Sequence, residues 1–266
     1  MSFDFLKEKV LKKSDSYQHY KNFHDENKNN QDSNDKIDEL KKLIYKNNLY
    51  NQEILYAHRF NDTIKGSKWL TKQNFSLNKS SASYSFLYVL YRVLDEANPK
   101  NILELGLGQT SKLTSQYANF FNLKVKIIES DKEWINLFSK NLDTSDNLEL
   151  IQIDTDEYNF NSTKSLKYKD FSNKISNDKF DLIIIDGPYG YDQSYPRSNI
   201  LNLLDNLSEE FIIIVDDYER LGEKNTVNEL FKALDKKKIN YNKVEFEGTK
   251  KQLAIFTRKY KFVAWF

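Results

Sequence analysis

The period of the apolar positions changes along this chain. Before about residue 60 the pattern is sparse. Phe5, Leu6, Val10 and Leu11 suit one face of a short helix. Residues 13–35 are strongly polar, with an Asn/Asp/Lys cluster that predicts a loop or mobile segment. Ile37, Leu40, Leu43 and Ile44 then recur at helical spacing, and Leu49, Ile54, Leu55 and Phe60 continue it. From Ser80 onward the pattern is regular. Tyr84, Leu87, Tyr88, Tyr91 and Leu94 predict a helix that ends before Pro99. Apolar runs at 101–105, 125–128, 148–153, 181–185 and 211–215 read as five strands. Helical patterns at 112–121, at Trp134, Ile135, Phe138 and Leu142, around 198–207 and at 225–234 alternate with them. Residues 243–247 and 252–257, around Gly248, read as a terminal β-hairpin.

Short β-rich runs alternating with helices imply an α/β, Rossmann-like, doubly wound sheet, mostly parallel and covered on both faces. The expected organisation is a polar, helical N-terminal extension over 1–64 and one α/β domain over 65–266. The apolar stripe of the extension either packs on the core or serves as a homo-oligomerisation or partner-docking arm.

Composition narrows the classes. Forty basic and 39 acidic residues nearly cancel, which argues against nucleic acid or an anionic membrane as the partner. With no cysteine, disulfides, thiolate metal sites and cysteine nucleophiles are excluded, in keeping with a cytoplasmic location. Residues 1–13 lack the continuous apolar stretch of a secretion signal, and no apolar run is long enough for a membrane span.

In a doubly wound sheet the ligand sits at the carboxyl ends of the strands, where strand order reverses. The first strand ends in Glu104-Leu105-Gly106-Leu107-Gly108, and both glycines let the backbone turn tightly and approach a ligand. In this fold an acid at the position of Glu104 often reaches the amino or ribose groups of the cofactor. Glu129 ends the second strand, where its two oxygens can accept from both ribose hydroxyls. Asp154 follows the third strand, a place that commonly contacts the adenine amine. A dinucleotide fingerprint for NAD would need a third glycine where this chain has Ser111. The constellation is therefore read as a site for S-adenosylmethionine, and a terminal hairpin after five βα units is the usual arrangement of class I methyltransferases.

The fourth strand runs into Asp186-Gly187-Pro188-Tyr189-Gly190-Tyr191 and the fifth into Asp216-Asp217-Tyr218-Glu219-Arg220. Three carboxylates converging at one rim raise one another's pKa unless a cation joins them, and such oxygen donors suit Mg²⁺ or Mn²⁺. With the Gly106-Leu107-Gly108 turn, the Glu129-Ser130-Asp131-Lys132-Glu133-Trp134 segment and Arg197, these blocks resemble polysaccharide-biosynthesis O-methyltransferases of the glucuronoxylan 4-O-methyltransferase type. The resemblance covers about 101–220. It implies a class I fold, S-adenosylmethionine as donor and a hydroxyl of a sugar, nucleotide sugar or polysaccharide precursor as acceptor, in cell-surface glycan biosynthesis.

Cation-dependent catechol-type O-methyltransferases are a looser resemblance. They carry metal-binding carboxylates at the positions of Asp186, Asp216 and Asp217. This sequence departs from them, because Gly187, Pro188, Tyr189 and Gly190 stand where those enzymes place a lysine base.

The expected roles follow. Asp186 and Asp217 are the catalytic carboxylates, and Asp186 also borders the cofactor. Asp186, Asp216 and Asp217 are the candidate metal ligands. Tyr191 and Tyr195 offer rings or hydroxyls to a sugar, and Arg197 offers a planar fork to an acidic substituent. The alternative for Arg197 is a surface residue at a helix start. His19, His24 and His58 all precede the α/β region and read as solvated or structural. Two other readings stay open: a methyltransferase for another small molecule, a lipid or a protein, and a non-catalytic scaffold on the same fold.

Overall fold

The computed structural model describes residues 15–77, 81–143, 146–175, 177–190 and 193–266; within 15–33 it describes the backbone, with a side chain for His19 alone. The short helix expected at 5–11 lies outside the described residues. So do Tyr191 and Asp192.

The loop expected over 13–35 is overturned from Asp15 onward. One helix, α1, runs Asp15–Ile64 over 50 residues. Asn, Asp and Lys lower helix propensity by only fractions of a kcal/mol each, and no Gly or Pro interrupts this stretch. The polarity of this stretch marks a solvated helix and not a loop. Ile37, Leu40, Leu43 and Ile44 are helical and exposed. The chain divides into two compact units, one up to Leu49 and one from Tyr50 to Phe266. Among the described residues no helix is long and apolar enough to cross a membrane.

Within the second unit, Tyr56, Phe60 and Ile64 of α1 are buried in a cluster with Trp69 and Tyr91. Helix α2 (Tyr84–Arg92) starts at Ser83, whose side chain accepts from the Phe86 amide. It runs into a π-turn, Val93–Ala97, and stops at Asn98 in a left-handed conformation, just before Pro99.

The remaining order is β1 (Asn101–Leu105), α3 (Gln109–Phe121), β2 (Lys124–Glu129), α4 (Lys132–Phe138) and β3 (Leu148–Gln152). Then come β4 (Thr155–Phe160), β5 (Thr163–Tyr168), α5 (Phe171–Ile175) and β6 (Phe180–Ile185). The chain ends with β7 (Leu207–Val215), α6 (Leu221–Lys236), β8 (Asn242–Glu247), β9 (Lys251–Phe256) and a 3₁₀ segment, Arg258–Trp265. The helix expected around 198–207 is a 3₁₀ helix over Ser198–Asn206.

The main sheet has the order β3-β2-β1-β6-β7-β9-β8. Its first five strands are parallel, and β9 lies antiparallel between β7 and β8. This is the expected Rossmann-like sheet with its terminal hairpin. Along each strand successive residues alternate between two cores. Ile102, Leu182 and Ile214 face one with α2 and α3, and Leu103, Ile183 and Ile213 face the other with α5 and α6.

A second sheet, the β4–β5 hairpin, was not anticipated. Its two-residue turn is Asn161-Ser162, both at positive φ. That is the geometry glycine usually serves in tight hairpins, so the signal was weak.

Register brings the strand ends level. Leu105 lies beside Ile128 and Ile185, and Ile185 beside Val215. The ladder continues one step further, with the Asp186 amide on Leu105 O at 2.8 Å and the Asp216 amide on Ile185 O at 3.0 Å. Gly106 therefore abuts the Asp186 backbone. A Cβ on Gly106, whose φ is +99°, would sit 2.8 Å from the Asp186 carbonyl carbon. Gly187 answers from the other side, where a Cβ would sit 2.8 Å from Gly106 Cα.

Replacing Gly106 with Ala should combine left-handed strain with a backbone clash and cost at least about 3 kcal/mol. A Cβ on Gly66 meets nothing within 4 Å. Gly66→Ala should accordingly shift stability by no more than about 0.5 kcal/mol. Denaturant melts of the two variants check this, and equal stability would refute the packing.

Candidate active site

The turn after β1 is braced from below. Glu104 is fully buried. Its Oε1 accepts from the hydroxyls of Thr110 (2.6 Å) and Ser111 (2.8 Å), and its Oε2 from Thr114 (2.6 Å). Ser111 Oγ in turn accepts from the Gly108 amide at 3.0 Å. The residue standing where a dinucleotide fold has its third glycine thus relays the turn onto Glu104. Burial pushes the Glu104 carboxyl up to about 7, although the three hydroxyls work against it. Glu104 was expected among the groups that reach a cofactor. Its place is instead beneath the turn, with both oxygens engaged by α3.

Glu129 is half-buried at the end of β2. Oε2 accepts from the Leu107 amide at 2.9 Å, and Oε1 from the amides of Ser130 (2.6 Å) and Asp131 (2.9 Å). It clamps the glycine turn against the next strand end. Trp134 donates its indole N–H to Leu107 O at 2.7 Å, fastening α4 to the same turn. Gly108 caps α3 with extended backbone, and the space its Cβ would take is open for 4 Å. Asp154 is exposed just beyond β3 and accepts from Gln152 Nε2 at 2.7 Å.

At the ends of β6 and β7 the three acids do converge. Asp186, Asp216 and Asp217 each bring a carboxylate oxygen within 4.8 Å of the others. They are already joined by cations. Arg197 Nη2 lies 3.1 Å from Asp186 Oδ1 and 2.7 Å from Asp217 Oδ2, and Nη1 donates to Asp216 O at 2.9 Å. Lys250 Nζ lies 3.2 Å from Asp216 Oδ2 and 3.1 Å from Asp217 Oδ1. Arg220 Nη1 lies 2.9 Å from Asp217 Oδ2. Gln252 Nε2 donates to Asp216 Oδ1 at 2.7 Å and also meets Ser83.

These partners separate the three acids. Burial, then Asp216, pushes the Asp186 carboxyl up to about 8, against the pull of Arg197 and Lys250. Burial acts the same way on Asp217, but Arg197, Lys250 and Arg220 overcome it and hold that carboxyl below the usual range. Burial disfavours the Lys250 ammonium, and the three acids outweigh it and keep it charged.

A divalent cation does not fit these residues. Asp216 and Asp217 are enclosed, with side chains 0% and 3% exposed, and their oxygens already face lysine and arginine. A metal would have to displace those cations and then repel them at close range. The three carboxylates are candidate metal ligands by sequence; Arg197, Arg220 and Lys250 answer them instead.

Arg197 is the other correction. It is neither a surface residue nor free to hold an acidic substituent, because it is buried with its fork committed to three backbone and side-chain oxygens. Tyr195 is half-buried and packs edge-on against Phe160 of the β4–β5 hairpin at 5.1 Å. Gln193 Oε1 accepts from the Leu166 amide at 2.8 Å, and Thr226 of α6 donates to Pro196 O at 2.7 Å. Residues 193–196 are thus held between the hairpin and α6. Tyr189, three residues after Asp186, is 76% exposed. His19 and His58 are exposed, and the side chain of His24 lies outside the described residues.

Sequence reasoning missed Lys250, Gln252 and Arg220. No lysine stands directly after Asp186, where Gly187, Pro188, Tyr189 and Gly190 follow, but the terminal hairpin supplies one 64 positions later. The available signal was the antiparallel pairing itself: once β9 lies beside β7, residues 250–252 must face 216–217.

No family model and no curated protein matches the chain. Solved structures do resemble it. The SAH-bound methyltransferase PaMTH1 of Podospora anserina is 16% identical, with 78% of this chain and 86% of that chain covered at a TM-score of 0.42. The precorrin-6y C5,15-methyltransferase of Geobacter metallireducens is 14% identical over 70% of this chain and 95% of that chain, with a TM-score of 0.47. The O-methyltransferase of Bacillus cereus in complex with SAH is 14% identical over 78% and 91%, with a TM-score of 0.41.

The buried state of Glu104 sets a pH dependence of stability. Its folded pKa of about 7 lies above the ordinary 4.5, so the fold holds the proton more tightly than the unfolded chain does. Stability should therefore fall as pH rises from about 4.5 to 7, by on the order of 3 kcal/mol from this group. Glu104→Gln should flatten that slope and melt above the parent at pH 8. A parent and variant with parallel Tm–pH curves would refute the assignment.

Proposed function

We propose that the chain is an S-adenosylmethionine-dependent O-methyltransferase that acts on a hydroxyl of a sugar or polysaccharide precursor. The observation that carries this reading is the contact between the glycine turn and Asp186. The carboxylate with a raised pKa stands against the turn expected to seat the donor. The residues fit such a cofactor in two respects. Gly108 leaves open the room a side chain would fill, and Glu129 ends β2 half-buried beside that turn, with one described bond on Oε2. When bound, S-adenosylmethionine supplies a methyl group on a sulfonium, already activated for in-line displacement.

The chain's own residues then have to position the acceptor and take its proton. Asp186 is the base in this reading. Its side chain is 23% exposed, the most open of the three acids. A carboxyl titrating near 8 is a far better proton acceptor than an ordinary carboxylate, and it is ionised in a useful fraction at neutral pH. Asp217, expected as a second catalytic carboxylate, holds Arg197 and Arg220 and is a positioning group. With Arg197 committed to the acids, the sugar reading rests on the resemblance over 101–220 and on Tyr189 as an exposed aromatic face for a pyranose ring. A small hydroxylated acceptor with an apolar face is the second reading, favoured by Leu221, 75% exposed, four residues after Asp217.

Calorimetric titration with the demethylated cofactor tests the donor site. Gly108→Ala should leave the melting temperature unchanged yet weaken binding at least about tenfold, because the methyl enters ligand space and not protein. No heat of binding to the parent protein would sink the methyltransferase reading. Mass spectrometry of products from nucleotide sugars and from catechol-like hydroxyl compounds then separates the two acceptor classes.

The base makes a separate prediction. kcat/KM should rise with pH and level off above about 8, since Asp186 must lose its proton first. Asp186→Asn should lower kcat by roughly 100-fold or more while the cofactor still binds. A pH profile flat from 6 to 9 would exclude Asp186 as the base.

A further inference from the structure

Asp216, Asp217 and Arg197 are enclosed, with side chains 0%, 3% and 6% exposed. Those of Asp186, Lys250 and Arg220 are 23%, 13% and 31% exposed, so an acceptor entering the site can touch these three. Arg220 pairs with Asp217 and Glu223, whereas Lys250 lies against both Asp216 and Asp217. Lys250 is also firmly mounted. Glu53 of α1 accepts from the Thr249 amide at 3.1 Å, and Glu219 from the Lys251 amide at 2.8 Å. Lys251 O accepts from the Tyr218 amide at 2.9 Å. Gln252 ties the next position to Asp216. The turn carrying Lys250 is therefore fixed to α1 on one side and to the residues after β7 on the other. An ammonium has three donors; Asp216 and Asp217 lie 3.2 and 3.1 Å from Nζ.

We infer that Lys250 is the resident cation of this centre, standing where a metal-dependent transferase would hold its divalent ion. The inference rests on the methyltransferase reading. In the step it serves, the acceptor O–H bond breaks and its proton passes to the Asp186 carboxylate. The oxygen pair forms the new O–CH₃ bond, and the C–S bond breaks with its pair going to sulfur. Lys250 keeps its proton throughout and places positive charge beside the acceptor oxygen as negative charge develops there. The ammonium remains protonated because Asp216 and Asp217 lie against it and Asp186 adds its charge, so it is the electrostatic partner of the base and not the base itself. The catechol-type enzymes that the strand ends loosely resemble place a lysine after the first acid as the base. Here Asp186 takes the proton, and the lysine takes the place of the metal.

The test combines Mn²⁺ binding, read by electron paramagnetic resonance, with kinetics in EDTA. The parent protein should leave the free Mn²⁺ signal unchanged and keep full turnover after exhaustive chelation. Lys250→Met should lower kcat by about 100-fold with cofactor affinity within about twofold, the pattern for charge stabilisation lost in the transition state. Lys250→Arg, which restores the charge, should recover most of the loss. Uptake of one Mn²⁺ by the parent, abolished by Asp186→Asn, would overturn the inference, as would full kcat in Lys250→Met. If Lys250→Met does not melt cooperatively, the parent's Mn²⁺ titration still decides. That titration needs no turnover, so it stays informative even if the parent fails to bind the demethylated cofactor and the methyltransferase reading falls.

Discussion

Three carboxylates held within 4.8 Å of one another are the constraint around which the functional rim is built. The parallel register delivers them: β6 and β7 end level, so Asp186 and Asp216 lie side by side whatever their charge. Unpaired, such a cluster would be strongly destabilising, since removing one partner from a buried ion pair costs about 3–5 kcal/mol. Arg197 and Lys250 prevent this, and they come from two distant places, the start of the 3₁₀ helix after β6 and the tip of the β8–β9 hairpin. Neutralising the acids therefore fastens both segments to the sheet. The charge network is structural cement and electrostatic environment at once.

The first half of the rim obeys a steric constraint instead. Gly106 and Gly187 stand back to back, with no room for a Cβ on either. Their contact brings the turn after β1 against the turn after β6, and so brings the expected donor seat against Asp186. Glu104 from below and Glu129 from the side then hold that turn through hydroxyls and amides. Both acids resemble ligand-binding groups when read by type and position. What distinguishes Glu104 is that three hydroxyls of α3 already satisfy it, which makes it a brace that tolerates burial at the expense of a raised pKa.

Much of this was legible in the chain. Runs such as 181–185 and 211–215 are too short and too β-branched to be anything but buried strands, and the acids that end them follow directly. The glycine turn and the terminal hairpin were equally plain. Helix α1 was legible only from Ile37 on, because polar residues 15–35 carry no periodic apolar signal and form a helix simply for want of a breaker. The β4–β5 hairpin was hidden because Asn161-Ser162 turns tightly without glycine.

By itself, then, the sequence determined the α/β alternation, the strand ends and the identity of the acids at the rim, since these depend on local periodicity and on neighbours in the chain. Only the tertiary structure decided what those acids do. Lys250 is 64 positions from Asp186, and Arg197 reads as an ordinary helix-start residue until the fold buries it. Charge compensation depends on distance in space, over a few ångströms, and β9 pairs with β7 by backbone hydrogen bonds that carry no trace of which side chains they bring together.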